Sequence, residues 1–97
     1  MLRHIVMMKF TDRKRVDKIS GEVEVMLSKL LLEIDSLLAM EVGLNVNTKA
    51  SAYDLVLTAD FEDEAGLEAY RIHPEHVKVL DYLKETMEKA TVVDYHI

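Results

Sequence analysis

The chain opens with a run in which hydrophobic residues occupy alternate positions. Within residues 2–10, one set of alternate positions holds Leu2, His4, Val6, Met8 and Phe10. The other set holds two further hydrophobic residues, Ile5 and Met7. A period of two is typical of a β-strand. Because hydrophobic residues lie on both faces, we expect this strand to sit between two layers. Thr11-Asp12 then supply side-chain oxygens that suit the cap of a helix.

Helical spacing replaces the alternation from about Arg13 to Leu38. Hydrophobic residues recur three and four positions apart and form one stripe: Val16, Ile19, Val23, Met26, Leu27, Leu30, Leu31 and Ile34. Gly21 within this run lowers the helix propensity by about 1 kcal/mol relative to alanine. The stripe continues over roughly six turns, which outweighs that cost and predicts the main helix of the protein.

Two further alternating runs follow, over residues 40–47 and 53–61, with the polar segment 48–51 between them. A connection this short between two strands predicts an antiparallel hairpin. Asp63 and Glu64 are expected to open a short helix after the second of these strands.

Pro74, the only proline, is expected to end that short helix, because the residue before a proline avoids helical geometry. Proline also suits the first position of a new helix. This helix is predicted to run to about Lys89, and its inward residues are predicted to be Val77, Leu80, Leu83 and Met87. Alternation over residues 91–97 predicts a last strand.

The order of elements is strand, helix, strand, strand, split helix, strand. It predicts one α+β domain over residues 1–97, with a ferredoxin-like βαββαβ sandwich in which both helices cover one face of a four-stranded antiparallel sheet. Ile5 and Met7 would lie on the other face. An exposed hydrophobic sheet face marks an interface, so we expect a two-fold homodimer that packs sheet against sheet.

The composition narrows the possible partners. Twelve basic and eighteen acidic residues give a net charge of −6, which argues against nucleic acid as a partner. The basic cluster of Lys9 and residues 13–15 is interpreted as solvating the turn between the first strand and the helix. There is no cysteine, no signal-peptide pattern and no hydrophobic run near the roughly 20 residues of a membrane span. We therefore expect a cytoplasmic protein without a membrane partner.

Candidate chemistry gathers around Pro74. Tyr70, His73 and His76 are spaced three residues apart there, and His76 lies one helical turn before Leu80. His4 stands in the helix-facing row of the first strand. Tyr70, His76 and His4 are therefore expected to converge in a small apolar pocket beneath the helices.

Structural roles are open for the same residues. A histidine on a hydrophobic face often has one satisfied nitrogen in the core, as His4 would, and Tyr70 would also suit the core. His73 precedes a proline and would suit a helix cap. His73 and His76 lack the four-residue spacing of a zinc-binding pair on a helix, and no phosphate loop or nucleophile elbow is present.

Several segments together resemble a known family. They are His4-Ile5-Val6 and Lys9-Phe10 in the first strand, residues 41–45 in the second, residues 53–57 in the third, Phe61-Glu62-Asp63, and Tyr70 with His73-Pro74-Glu75-His76. Over essentially its whole length the chain resembles the stress-responsive dimeric α/β barrel (Dabb) family. The resemblance implies a ferredoxin-like fold and a homodimer whose two sheets form a barrel.

The resemblance also implies site residues. In the plant olivetolic acid cyclase of this kind, which closes a linear polyketide by aldol condensation, the base matches His76 and an assisting tyrosine matches Tyr70. The resemblance thus implies that His76 and Tyr70 are catalytic and that His4 and His73 bind the substrate, a small apolar carbonyl compound. Leu55 stands where that cyclase has a further histidine.

The resemblance implies no organic cofactor. Some family members hold a cation, here expected to be Mg²⁺, on backbone carbonyls after the first helix, at positions that match Leu31, Ile34 and Leu37. Two other functions remain open: a non-catalytic stress-associated or ligand-binding protein, and a cofactor-free monooxygenase-like protein.

Overall fold

Four strands and three helices make up the computed structural model of the protein, which describes residues 1–97. The strands are β1 (Leu2–Phe10), β2 (Ala39–Leu44), β3 (Leu55–Phe61) and β4 (Met87–His96). The helices are α1 (Val16–Glu33), α2 (Glu64–Arg71) and α3 (Pro74–Thr86), and a 3₁₀ turn at Arg13–Arg15 precedes α1. None of these helices is long and hydrophobic enough to cross a membrane.

The strands form one antiparallel sheet in the order β2-β3-β1-β4. Strand β1 lies in the middle and pairs with β3 on one side and with β4 on the other. The pairing with β4 runs from Leu2 opposite His96 to Phe10 opposite Met87, and the Ile97 amide donates to the Met1 carbonyl at 3.0 Å. This topology confirms the predicted ferredoxin-like sandwich.

The hydrophobic core lies between one face of the sheet and the helices. The alternating side of β1 and the stripe of α1 contribute to it, as predicted, together with β3, α3, Tyr70 of α2 and two residues that follow α1. Its buried residues are Val6, Met8, Phe10, Ile19, Val23, Leu27, Leu30, Ile34, Leu37, Leu55, Leu57, Ala59, Phe61, Tyr70, Val79 and Leu83.

The predicted end of the first helix at Leu38 is wrong, because α1 ends at Glu33. Ile34 has an extended backbone, and its carbonyl accepts a hydrogen bond from the Leu37 amide at 3.1 Å. Ile34 and Leu37 are nevertheless buried. Their three-residue spacing therefore imitates a helical stripe although both residues belong to a loop.

Strand β2 also ends earlier than predicted, at Leu44 rather than residue 47. The Asn45 side chain accepts from the Asn47 amide and donates to the Asn47 carbonyl, both at 2.8 Å. Such a local turn competes with strand pairing. Val46, which the alternation placed on the same side as Met40, Val42 and Leu44, is 95% exposed.

The boundary between α3 and β4 was also predicted wrongly. Helix α3 ends at Thr86 rather than Lys89, and β4 begins at Met87 rather than residue 91. The extra residues of β4 pair with the end of β1. The buried residues of α3 are Val79 and Leu83, whereas Val77 and Leu80, both predicted to face inward, are partly exposed.

A partly buried ion pair joins the turn after β1 to the residue before β3. The Arg13 guanidinium donates to both carboxylate oxygens of Asp54, at 2.7 and 2.8 Å, and the Phe10 amide donates to Asp54 at 2.8 Å. Lys9 donates to the carbonyls of Ala50 and Ala52. The interpretation of this basic cluster as solvating the turn is therefore wrong for Arg13 and Lys9, because their charged groups anchor neighbouring segments.

The sheet face away from the helices is uncovered and hydrophobic in its middle. Strand pairing places Ile5 beside Val93, and Met7 beside Val56. Charged residues surround this patch. They are the ion pair of Arg3 and Asp60, together with Glu41, Lys9 and Lys89. The placement of Ile5 and Met7 agrees with the predicted open face.

We expect Asp54→Ala to lower the free energy of unfolding by about 2 kcal/mol, since the Phe10 amide loses its partner and Arg13 loses its charge partner. The expected loss is smaller than the loss from breaking a fully buried ion pair, because Arg13 is half exposed. Urea denaturation measures this loss, and Asp81→Asn in the exposed pair with Lys84 is the control. Equal losses in both variants would contradict the structural role of Asp54.

The ion pair also gives this contribution a pH dependence. The Arg13 guanidinium holds the pKa of Asp54 below its ordinary value of 3.8. The contribution should therefore be complete above about pH 4 and be lost as the pH falls through the folded-state pKa, since the carboxylate then gains a proton.

Candidate functional site

Tyr70 lies at the centre of the candidate site and is the only buried residue of α2. Asp63 caps that helix by accepting from the Gly66 amide at 3.0 Å, as its place before the helix predicted. The helix directs Tyr70 onto the end of β3, where its ring centroid lies 5.1 Å from that of Phe61. Only 1% of Tyr70 is exposed.

The junction between α2 and α3 is built by His73 and Pro74. His73 has the extended backbone that a following proline requires, and Pro74 occupies the start of α3. The Nδ1 atom of His73 accepts a hydrogen bond from the Glu75 amide at 3.1 Å. This contact confirms the capping role that the sequence left open for His73. Substrate binding by His73 stays a prediction.

His76, in the first turn of α3, stacks against Tyr70 with a centroid distance of 4.3 Å. Its Nδ1 atom lies 3.0 Å from the Arg71 carbonyl oxygen. A carbonyl only accepts, so Nδ1 carries a hydrogen and the Nε2 lone pair is free when the ring is neutral. Burial lowers the pKa of His76 from its ordinary 6.5, against a smaller raising effect of the Arg71 bond. The ring is therefore neutral at pH 7.

His4 reaches the same cluster from the central strand. Its ring lies 6.4 Å from that of Tyr70, and its Nδ1 atom lies 2.5 Å from Asp94 Oδ1. Asp94 is directly opposite His4 in the pairing of β1 with β4. Sequence reasoning missed Asp94. The one available signal was its place on the same side of β4 as Val92, which is insufficient without the strand register.

The Tyr70 hydroxyl is buried and has no hydrogen-bond partner in the chain. Leaving such a group unpaired costs about 1–3 kcal/mol. Burial raises the pKa of Tyr70 well above its ordinary 10. The hydroxyl therefore keeps its proton at every physiological pH and is a donor without an acceptor.

The structure thus brings together His4, Tyr70 and His76, while His73 caps the helix beside them. The predicted apolar pocket among them stays a prediction, because the rings of His4, Phe61 and His76 enclose Tyr70. The larger cavities lie elsewhere. One of ≈580 Å³ lies between the start of α1 and the β2–β3 loop, and one of ≈600 Å³ lies on the outer face of α1 and α3.

The predicted cation positions lie at the end of α1. Leu31 is in its last turn, Ile34 follows the helix, and Leu37 is in the loop before β2. The Ile34 carbonyl already accepts one hydrogen bond. No group of three or more His, Cys, Asp or Glu side chains is placed to hold a metal ion. Binding of a cation by these carbonyls stays a prediction.

Comparison with protein families settles the class of this domain. The model of the Stress responsive A/B Barrel Domain, Dabb, matches residues 2–97. The chain belongs to the Dabb family. This membership confirms the resemblance that the segments of the first three strands and of residues 70–76 indicated.

Individual relatives agree with this assignment. The Dabb domain is 29% identical over 100 residues to the stress-response A/B barrel domain-containing protein DABB1 of Arabidopsis thaliana. That match covers 98% of this chain and 46% of the relative, so the chain spans about half of the relative's length.

Two solved structures are similar over nearly the full chain. A dimeric ferredoxin-like protein of unknown function from Bacteroides fragilis has a TM-score of 0.89 and 28% identity, and covers 99% of this chain and 95% of its own. A second dimeric ferredoxin-like protein, from Thermobifida fusca, has a TM-score of 0.85 and 28% identity, with coverages of 99% and 90%.

Enzymes occur among more distant structures. A hydroxynitrile lyase from Passiflora edulis has a TM-score of 0.79 at 16% identity, and an antibiotic biosynthesis monooxygenase has 0.77 at 17%. At these identities the likeness shows the fold alone. The fold therefore accommodates different chemistries, and the reaction must be argued from the site.

We expect Tyr70→Phe to leave the free energy of unfolding unchanged or to raise it, because it removes a buried hydroxyl that has no partner. Thermal and urea denaturation measure the change. Tyr82→Phe is the matched control, since the Tyr82 hydroxyl donates to Glu22 at 2.8 Å. A loss above about 1 kcal/mol in Tyr70→Phe would show that the hydroxyl is structural.

Proposed function

We propose that this Dabb domain is a homodimeric enzyme that transfers a proton on a small apolar carbonyl compound, as a polyketide cyclase does. His76 acts as the base and Tyr70 as the hydrogen-bond donor to the carbonyl oxygen. The single observation that carries the proposal is the buried, unpartnered Tyr70 hydroxyl beside an imidazole that has a free lone pair.

The donor supports the proposal through its electrostatics. When a proton leaves the carbon next to a carbonyl, the bonding electrons move onto the carbonyl oxygen. A preorganised donor in a site without water stabilises this developing enolate strongly. The Tyr70 hydroxyl meets these conditions, because it is buried and protonated and is not engaged by the chain itself.

The base supports the proposal through its tautomer. The Arg71 carbonyl holds the hydrogen of His76 on Nδ1, which leaves Nε2 to accept a proton from substrate carbon. Burial keeps the ring neutral, which is the form that a general base requires near pH 7. The same proton can return to carbon or to the product oxygen, so the residue is regenerated.

His4 and Asp94 extend the site on the strand side. The Asp94 carboxylate accepts from His4 Nδ1 and so orients the ring towards the cluster. In this proposal His4 binds the substrate through its other nitrogen, and Asp94 positions His4. His73, at the α2–α3 junction beside Tyr70, is in this proposal a second substrate-binding histidine.

The open sheet face supports the homodimer. Its middle brings Ile5, Met7, Val56 and Val93 together on one uncovered face, and the charged residues around them form a rim, as at the interfaces between proteins. The two similar structures described above are dimeric. A second copy of the chain packed sheet against sheet would cover this face.

Proton transfer can be tested without knowing the natural substrate. We expect the protein to accelerate exchange of the methyl protons of acetophenone in D₂O, followed by ¹H NMR. His76→Ala should lower the rate by about 10²–10⁴-fold, and Tyr70→Phe should lower it while the protein stays folded. The wild-type rate should hold through neutral pH and decline as the pH falls through the pKa of His76, which burial lowers from its ordinary value.

The matched control is His96→Ala, because His96 is an exposed histidine on β4. It should retain the wild-type rate. A wild-type rate equal to that of buffer, or full activity in His76→Ala, would contradict proton-transfer catalysis. With intact folding of all variants, such a result would favour the non-catalytic binding protein.

Dimerisation is tested separately by light scattering at micromolar concentration. Val93→Lys should reduce the measured mass from that of two chains to that of one, because the charge would be buried in the interface. Val25→Lys is the control, since Val25 is 53% exposed on α1 and Val93 is 57% exposed on the open face. A monomeric wild type would contradict the proposed homodimer.

A further inference from the structure

Residues 71–77 join α2 to α3 and carry His76 over Tyr70, yet none of them is buried. The first buried residue of α3 is Val79, which follows this segment. We call residues 71–77 the lid. Since the lid contributes no buried side chain to the core, it can move away from Tyr70 while the other core residues stay packed.

Local hydrogen bonds hold the lid. The Glu75 amide donates to His73 Nδ1 at 3.1 Å, and the Val77 amide donates to the His73 carbonyl at 3.0 Å. A third bond also spans Pro74, because His76 donates to the Arg71 carbonyl at 3.0 Å. His73 therefore takes part in two of these contacts, and its side-chain contact requires an unprotonated Nδ1.

Protonation of His73 would act against the closed lid in two ways. A proton on Nδ1 turns the acceptor into a donor that faces the Glu75 amide, so the capping bond is lost. The new positive charge also lies at the N-terminus of α3, where the helix dipole disfavours a cation.

The charged groups around His73 do not remove this effect. On α2, Arg71 is paired with Glu68, and on α3, Glu75 is paired with Lys78, both at 2.9 Å. Glu33 of α1 lines a groove together with Glu75 and Lys78. His4 and Asp94 lie on the sheet side, behind Tyr70. The acidic groups nearest in sequence to His73 thus each have a cationic partner, and the His76 ring lies close by.

We propose that the lid is an acid-sensitive gate to Tyr70: neutral His73 keeps it closed, and protonated His73 lets it open. This regulation concerns the site of the proposed function, and its value to the protein rests on that function. At neutral pH the closed form would predominate and exclude water while His76 acts as a base, and brief openings would admit the ligand. Mild acid would favour the open form and so speed ligand entry and release.

Hydrogen exchange tests the gate without any substrate. We compare amide protection factors at about pH 7 and about pH 5.5, on either side of imidazole titration. Protection of Val77 and Glu75 should fall about tenfold in the wild type, the size that loss of a cap produces, whereas the core amide of Val6 should keep its protection.

Three variants locate the effect. His73→Asn keeps a capping acceptor that does not titrate, so its lid amides should stay protected at both pH values. His73→Ala lacks the acceptor and should show low protection at both. In His76→Gln the fall in protection should persist. The proposal is overturned if the wild type shows no fall, if His73→Asn falls as the wild type does, or if the fall disappears in His76→Gln.

Exposure of Tyr70 is measured by acrylamide quenching of its fluorescence, which is observable because the chain has no tryptophan. The other tyrosines, Tyr53, Tyr82 and Tyr95, are replaced by phenylalanine. Quenching should increase from about pH 7 to about pH 5.5, and adding His73→Asn should abolish that increase. Unchanged quenching in the variant that keeps His73 and has Tyr70 as its only tyrosine would overturn the gate. None of these readouts depends on catalysis, so the gate and the enzymatic proposal can fail independently.

Discussion

The hydrogen bonding of β1 on both of its edges is the constraint on which the rest of the structure depends. Pairing with β3 on one side and β4 on the other fixes the register of the whole sheet. The alternation of side chains then assigns Val6, Met8 and Phe10 to the core, and Ile5 and Met7 to the open face. The same register places His4 beside Asp94. One strand therefore determines the core, the open face and one wall of the candidate site.

The site differs from the core in having polar groups that only partly satisfy one another. His4 and His76 each use one ring nitrogen to bond the protein, which leaves the second nitrogen for another partner. The Tyr70 hydroxyl has no partner at all. A core selected only for stability would favour phenylalanine at this position. The cost of keeping the hydroxyl is the physical reason to regard this cluster as a functional site.

Local sequence signals predicted the elements that local physics determines. The alternation of β1, the Asp63 cap and the start of α3 at Pro74 were all confirmed. Errors arose where long-range contacts decide the outcome. Ile34 and Leu37 are buried from a loop, and pairing with β1 draws Met87 into a strand although no glycine or proline ends α3. Asp94 could not be assigned to the site, because a register shift of one residue would turn it to the other face.

The pairing of β1 with β4 also has a consequence for the order of folding. These strands are almost as far apart in sequence as the chain allows, from Leu2 opposite His96 to Phe10 opposite Met87. On the ribosome the hydrophobic β1 emerges first and cannot complete its pairing until β4 has been made. During that interval one edge of the central strand is open to other chains. The strand that later organises the domain is therefore also its point of greatest aggregation hazard until β4 has been made.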